Sequence, residues 1–201
     1  MPSIDRQTPP CNSPEVALFV PIDIDADLRL VPFEEEHADA IFEIVCTNRE
    51  RLSEWMAWAP AILSIDDVHA FIADSKNRRQ QPGGSGEWVI MLDGGAVGAV
   101  GCTSLEWQDK RTSIGAWLGI QAQGRGVASR AMNAIIDRLF ESGIHRIEAF
   151  HATGNDRSDA MLRRLGFTPE GVLRSHEWLH EKPVDDVIMS LLATDHRPEP
   201  R

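Results

Sequence analysis

The sequence predicts an α/β (α+β) protein of one domain, built on a mixed, mostly antiparallel central sheet flanked by helices. Three observations carry that prediction. Residues 87–92 and 96–105 are apolar, β-rich runs separated by Asp93-Gly94-Gly95, the signature of a tight hairpin. A loop at 121–129 opens a segment of helical period. Val127, Ala128, Ala131, Met132, Ile135, Ile136, Leu139 and Phe140 fall on one face, and Arg130, Asn133, Asp137, Arg138 and Glu141 on the other. Elsewhere strand-like and helix-like stretches alternate without an internal repeat, which calls for helices layered on a sheet. A chain of 201 residues suits one domain with a full core.

The elements follow in order. Residues 1–25 form a proline-containing lead-in. Leu28-Arg29-Leu30-Val31 reads as a strand, followed by a helical stretch over 34–48 and a connector over 53–60 that carries Trp55 and Trp58. Ser64 is an N-cap with Asp66 and Asp67 in the next turn, so a second helix runs from there to about Arg79. Pro82-Gly83-Gly84-Ser85-Gly86 is a loop before the hairpin. A strand over 112–118 leads to the glycine-rich loop and its helix, which Gly143 stops. A strand over 145–152, a helix over 155–165 and two closing strands complete the domain. Its span is 26–193, and 194–201 is a polar tail.

Hydrophobic content of 42% and charged content of 25% are those of an ordinary globular protein. No apolar run approaches the ~20 residues that cross a bilayer, and residues 1–10 lack the apolar core of a signal peptide. The three cysteines, Cys11, Cys46 and Cys102, are odd in number and scattered, which excludes a full disulfide framework. A reducing cytoplasm is the expected compartment. The formal net charge of −11 argues against nucleic acid as a partner and is compatible with a cationic acceptor. Arg125, Arg130 and Arg157, near the loop in sequence or motif, are candidates to invert that field locally.

The loop is an anion site by construction. Gly124 and Gly126 carry no Cβ, so successive N–H groups can converge at a helix N-terminus, where phosphate or pyrophosphate binds. Three phosphate motifs compete for it. A Walker A loop fails because Arg125 and Gly126 occupy its Lys and Ser/Thr positions. A dinucleotide-binding G-x-G-x-x-G/A places Ser129 at the third position, and too little chain follows for the second half of a doubly wound sheet. The pattern Q/R-x-x-G-x-G/A fits at Gln121, Gly124 and Gly126.

That last pattern resembles the pyrophosphate loop of the GNAT acetyltransferases, and the resemblance extends beyond it. Ser113-Ile114-Gly115-Ala116-Trp117-Leu118 resembles the strand that precedes the loop in that superfamily. Asn155-Asp156-Arg157-Ser158 and Leu162 through Leu165-Gly166-Phe167 resemble its N-x-x-S…L-x-x-L-G-F signature. Glu170-Gly171 and Asp185-Asp186-Val187-Ile188-Met189 follow. The ordered set is similar to the ribosomal-protein N-terminal (Rim-type) branch and covers roughly residues 26–193.

The resemblance implies acetyl-CoA as co-substrate, no metal, and a homo-oligomer. It implies coenzyme contacts from Trp117, Leu118, Gly119, Gln121, Gln123, Gly124, Arg125, Gly126, Val127, Ala128, Ser129 and Asn155. Acetyl transfer from a thioester to an amine needs a neutral amine, a donor for the developing oxyanion and a proton for the leaving thiolate. Many relatives supply that proton from a tyrosine, but this chain contains none. Ser158 is then the implied group beside the sulfur, while Asn155 also suits an N-cap. Glu177 is the implied base facing the acceptor, with Glu106 as its rival. An α-amine of pKa ~7.7–8.0 needs only a weak base, whereas a lysine at ~10.4 needs far more, which favours a protein N-terminus or another low-pKa amine as acceptor. Trp55, Trp58 and Trp107 are candidates for the acceptor wall. A small-molecule amine acceptor and a non-catalytic coenzyme A-binding module are the alternatives.

One further motif competes. His176-Glu177-Trp178-Leu179-His180 matches the H-E-x-x-H of zinc proteases. Helical patterning is absent around it and Pro183 follows closely. On a strand the two histidines would stand about 13 Å apart, too far for one ion. No metal site is predicted.

Overall fold

The structure is a computed structural model that describes residues 18–81 and 84–198. Its order is β1 (Ile22–Asp23), β2 (Leu28–Pro32), α1 (Ala38–Ser53), α2 (Ile65–Arg79), β3 (Gly86–Leu92), β4 (Gly95–Glu106) and β5 (Arg111–Leu118). Then come α3 (Val127–Glu141), β6 (Arg146–Ala152), α4 (Asp156–Arg164), β7 (Thr168–Leu179) and β8 (Lys182–Leu192). The strands form one eight-stranded sheet in the order β1-β2-β3-β4-β5-β6-β8-β7. Every neighbouring pair is antiparallel except β5–β6. The mixed, mostly antiparallel sheet predicted from the sequence is therefore the observed one.

Local chemistry accounts for the elements. Asp93 and Gly94 take φ of 51° and 80°, the left-handed pair that closes a two-residue hairpin between Leu92 and Gly95. Ser64 and Asp67 form a reciprocal capping box at the start of α2. Asn155 caps α4, its Oδ1 accepting from the Ser158 N–H at 3.1 Å. Of the eight apolar positions predicted for the α3 face, Val127, Ala131, Met132, Ile135, Ile136 and Leu139 are buried. They pack with Leu162 of α4 against Ile147, Ala149, Met189 and Leu191 of the sheet. On the other face Ile41, Val45, Val68 and Ile72 of α1 and α2 pack on Val89 and Ala99.

Three features differ from the sequence prediction. The lead-in contributes an edge strand, Ile22 pairing with Leu30, secured where Phe19 meets Trp88 and Trp88 Nε1 donates to the Val20 carbonyl at 3.1 Å. Residues 1–17 of that lead-in lie outside the described residues, as do Cys11, Pro82, Gly83 and residues 199–201 of the tail. The first helix does not stop near Asn48. A 3₁₀ turn at Glu35–His37 precedes α1, which runs to Ser53 because Arg49 reaches forward to the Ala59 and Ile62 carbonyls and ties the connector to the helix. The tail residue Arg197 is ion-paired with Asp137 of α3.

The feature that positions a site is a separation within the sheet. β5 pairs with β6 only through Arg111–Arg146, Thr112–Ile147 and Ser113–Glu148. Beyond that point β5 stays with β4 as far as Leu118–Gly98, while β6 stays with β8 as far as Ala152–Asp186. The two strands part, and the wedge between them opens at the end of the sheet where α3 and α4 begin.

Candidate active site

The wedge holds a cleft of two joined chambers. The larger, about 570 Å³, runs from the ends of α1 and β5 over the start of α3 to the start of α4. The smaller, about 290 Å³, lies between β5 and β6 and reaches Glu177 and Asp186 of the closing hairpin. Trp55, Trp117, Asn155 and Ser158 belong to both walls, so the chambers meet there.

The large chamber is shaped for an anion. β5 ends in a 3₁₀ turn at Ile120–Ala122. Asn48, buried in α1, accepts from the Ile120 N–H at 2.8 Å and donates to the Ile44 carbonyl at 2.8 Å, pinning that turn to the helix. Gln123 donates to the Leu118 carbonyl at 3.0 Å, and Arg157 of α4 donates to Gln123 at 2.5 Å. Gly124 and Gly126 then take φ of 76° and 74°, a conformation costly for other residues. Gly126 is the N-cap of α3, and among the described residues no side chain caps that helix. The orphan N–H groups and the positive end of the helix dipole are left for a ligand. Arg51, Arg157 and Arg164 line this chamber against Glu54 and Asp156.

The small chamber has the opposite character. Among the described residues no lysine or arginine lines it, while Glu177 and Asp186 do. The bulge between Leu173 and Glu177, with Ser175 at φ 51°, sets Glu177 into the wedge. Burial pushes the Glu177 carboxyl above the usual carboxylate range, the neighbouring Asp186 adds in the same direction, and His176 opposes them. Trp58 and Trp117 form an aromatic wall, ring centroids 5.4 Å apart.

The structure brings most of the predicted residues together. Trp117, Leu118, Gln123, Gly124, Gly126, Val127, Ala128, Ser129, Asn155 and Ser158 line the large chamber, and Trp55, Trp58, Ser158 and Glu177 the small one. Gly119 is buried behind the turn, and Gln121 and Arg125 lie exposed on the loop outside the lining. Arg130 is held by Asp25 and Asp27 at 2.6 and 2.9 Å, so its charge is committed away from the cleft. Glu106 stands outside both chambers at the opposite end of the β4–β5 pair, in an ion pair of 2.8 Å with Arg111. The His176-to-His180 segment lies on β7 and its turn rather than on a helix. His176 is occupied by Asp186 at 2.7 Å, and no group of three potential metal ligands occurs among the described residues.

Arg51, Glu54, Arg164 and His151 line the cleft without being singled out by the sequence pattern, and Asp186, noted there only within the Asp185–Met189 landmark and given no role, lines it too. The adjacent pair Asp185-Asp186 was the available signal, but only strand register shows that Asp186 is the one turned to the cleft. Neither Cys46 nor Cys102 lines either chamber. Burial pushes the Cys102 thiol up to about 12. No cysteine among the described residues is therefore placed to carry an acyl group.

Residues 27–168 match the acetyltransferase (GNAT) domain family. The chain belongs to the GNAT acetyltransferases. The ribosomal-protein-serine acetyltransferase of Escherichia coli (strain K12) is 26% identical over 167 residues, 83% of this chain and 92% of that protein. Among solved structures, the microcin C7 self-immunity acetyltransferase MccE, in complex with acetyl-CoA and AMP, superposes with a TM-score of 0.82. It is 27% identical over 85% of this chain and 95% of that one. The ribosomal L7/L12 α-N-protein acetyltransferase RimL, in complex with coenzyme A, also gives 0.82, at 23% identity and covering 86% and 97%. The last likeness concerns the fold.

Proposed function

We propose that this GNAT protein transfers an acetyl group from acetyl-CoA to a primary amine, a protein N-terminal α-amine, by direct attack within a ternary complex. The observation that carries the reading is the division of one cleft into an anion-binding chamber and a carboxylate-lined chamber that meet at Trp117 and Ser158.

The residues take the following parts. The N–H groups after Gly124 and Gly126 hold the pyrophosphate, with Arg51, Arg157 and Arg164 as counter-charges. From Ile114 to Leu118 the β6-facing edge of β5 has no strand partner, so its backbone groups are open to the pantetheine arm and thioester carbonyl. The acceptor enters between the Trp55–Trp58 connector and Glu177. Glu177, held above the usual carboxylate range, takes the amine proton directly or through water. Ser158 stands at the junction, where its hydroxyl or a water it holds meets the leaving thiolate, a good leaving group of pKa ~8.5. A small amine acceptor is the second reading, favoured by the Trp58–Trp117 wall, which suits a planar ring.

The assignment to a cytoplasmic homo-oligomer belongs to the same proposal. No helix among the described residues is long and apolar enough to cross a membrane. The sheet ends on β7 with Val172 and Trp178 exposed at 55% and 65%, an open edge that suits a second copy. The functional reading is tested by steady-state thiol release from acetyl-CoA with a panel of free-N-terminal peptides, polyamines and amino-acid amides. Peptide-dependent release is expected. Release with a small amine alone replaces the acceptor assignment, and no amine-dependent release with any member of the panel refutes the enzyme.

A further inference from the structure

Asp186 is the unexplained group of the cleft. It lines the small chamber yet is only 3% exposed. Its Oδ2 lies 2.7 Å from His176 Nδ1, and since a carboxylate only accepts, Nδ1 carries the proton. His176 is in turn stacked on Phe150, centroids 5.3 Å apart at 22°. The other oxygen, Oδ1, is buried and has no hydrogen-bond partner among the described residues. A buried carboxylate oxygen without a donor is costly, and folds retain such groups where a ligand or water completes them. The remaining titratable neighbours are Glu177 and His176 on β7 and His151 on β6, whose Nε2 lies 3.5 Å from Asp159 of α4. Among the described residues that line the chamber, none is a lysine or arginine that would neutralise Asp186.

We propose that Asp186 is the specificity-determining carboxylate of the acceptor chamber, holding the acceptor amine as its ammonium ion through Oδ1 while Glu177 takes the proton the amine must lose. This rests on the reading of the small chamber as the acceptor site. The proton balance is simple. One ammonium N–H bond breaks, its proton passes to the Glu177 carboxylate and its electron pair stays on nitrogen. A second N–H continues to donate to Asp186. The proton released when the amide forms leaves with the thiolate. His176 is the lock that fixes the Asp186 rotamer. The chamber thereby selects amines that arrive charged, and Asp186 acts on binding where Glu177 acts on turnover.

The test is Asp186→Asn in the full chain, assayed with whichever amine of the panel the unmodified protein acetylates best. Asn keeps the shape and an acceptor for His176 but removes the charge. A hydrogen bond between charged partners is worth roughly tenfold to a hundredfold in affinity. The acceptor KM should therefore rise at least about tenfold, while the acetyl-CoA KM stays within about twofold by the same argument. Because a buried, half-paired charge is relieved, the Tm should hold or rise. The acidic limb of kcat/KM should also move to lower pH, because a like charge beside Glu177 is gone. Glu177→Gln should show the opposite split, losing kcat and sparing the acceptor KM. Asp186→Ser, which leaves room for a water, provides the same comparison if the Asn variant does not fold. An unchanged acceptor KM, or both KM values rising with a fall in Tm, overturns the proposal in favour of a purely structural His176–Asp186 contact. If the unmodified protein acetylates a small amine but no peptide, the protein N-terminus reading fails and the Asp186 test proceeds on that amine. If it acetylates no amine, both fail.

Discussion

Gly126→Val tests the anion loop where the structure separates two effects. Gly126 has φ of 74° and caps α3, and a Cβ built there meets nothing within 4 Å. The Cβ itself thus meets no neighbouring side chain or strand. The substitution costs the strain of a β-branched residue in the left-handed region, about 1–3 kcal/mol. That strain lowers the Tm by about 2–4 °C per kcal/mol for a chain of this size. The isopropyl group projects into the space before the helix N–H groups, which the coenzyme's pyrophosphate must enter. Losing two charge-assisted hydrogen bonds of roughly 1.5–3 kcal/mol each weakens coenzyme A binding by about 10²-fold or more. Gly143→Ala is the control. Its φ of 98° imposes similar strain at the far end of α3, and its Cβ also meets nothing within 4 Å, but it does not line the cleft. Calorimetric titration with coenzyme A and thermal unfolding of both variants decide the matter. Both should lose Tm and only Gly126→Val should lose affinity. Wild-type affinity in Gly126→Val, or equal loss in Gly143→Ala, would refute the loop as the phosphate site.

Three further outcomes are expected. Glu177→Gln should lower kcat at least about tenfold with acetyl-CoA affinity intact, since general-base loss costs roughly 10²–10⁴-fold. A base must be deprotonated, and burial raises this carboxyl, so unmodified activity should fall as pH drops through a value above the ordinary carboxylate range; the Gln variant should lack that limb, and Ser158→Ala should cost less. A wild-type profile in Glu177→Gln alongside collapse of Glu106→Gln would move the base to the hairpin. Asn48→Ala should cost about 1–3 kcal/mol and weaken coenzyme binding together, because it frees the turn before the loop; unaltered affinity would uncouple α1 from the site. Light scattering at micromolar concentration should give a dimer or larger symmetric mass, and a monomer mass would contradict the proposed assembly.

Local chemistry was legible in the residues, and long-range pairing was not. The period of Val127 through Leu139, the Asp93-Gly94 turn, the helix start at Ser64 and the Asn155 cap are short-range patterns, and each appears where the sequence predicts it. The extension of α1 depends on Arg49 reaching ten and thirteen residues ahead, which no helical pattern encodes. β1 is two residues long and survives through Trp88 and Phe19, not through its own alternation. Arg130 looked like a loop cation because its partners, Asp25 and Asp27, are 105 and 103 residues away. The parting of β5 from β6 arises from two competing strand partners and has no local signature at all. Within the site, the glycine loop was legible as chemistry. Ser158 and Glu177 were legible only through family resemblance, and Asp186 only through register with β7.

The central claim is that the carboxylate-lined chamber presents an N-terminal α-amine to the thioester. The most direct measurement offers the purified protein acetyl-CoA and a peptide that carries both a free N-terminal serine and an internal lysine, with fragmentation mass spectrometry locating the acetyl group. The account predicts a single acetyl group on the α-amine, formed at a rate that depends on Glu177. Acetylation of the lysine side chain, or no peptide product under conditions where a small amine is acetylated, would contradict it.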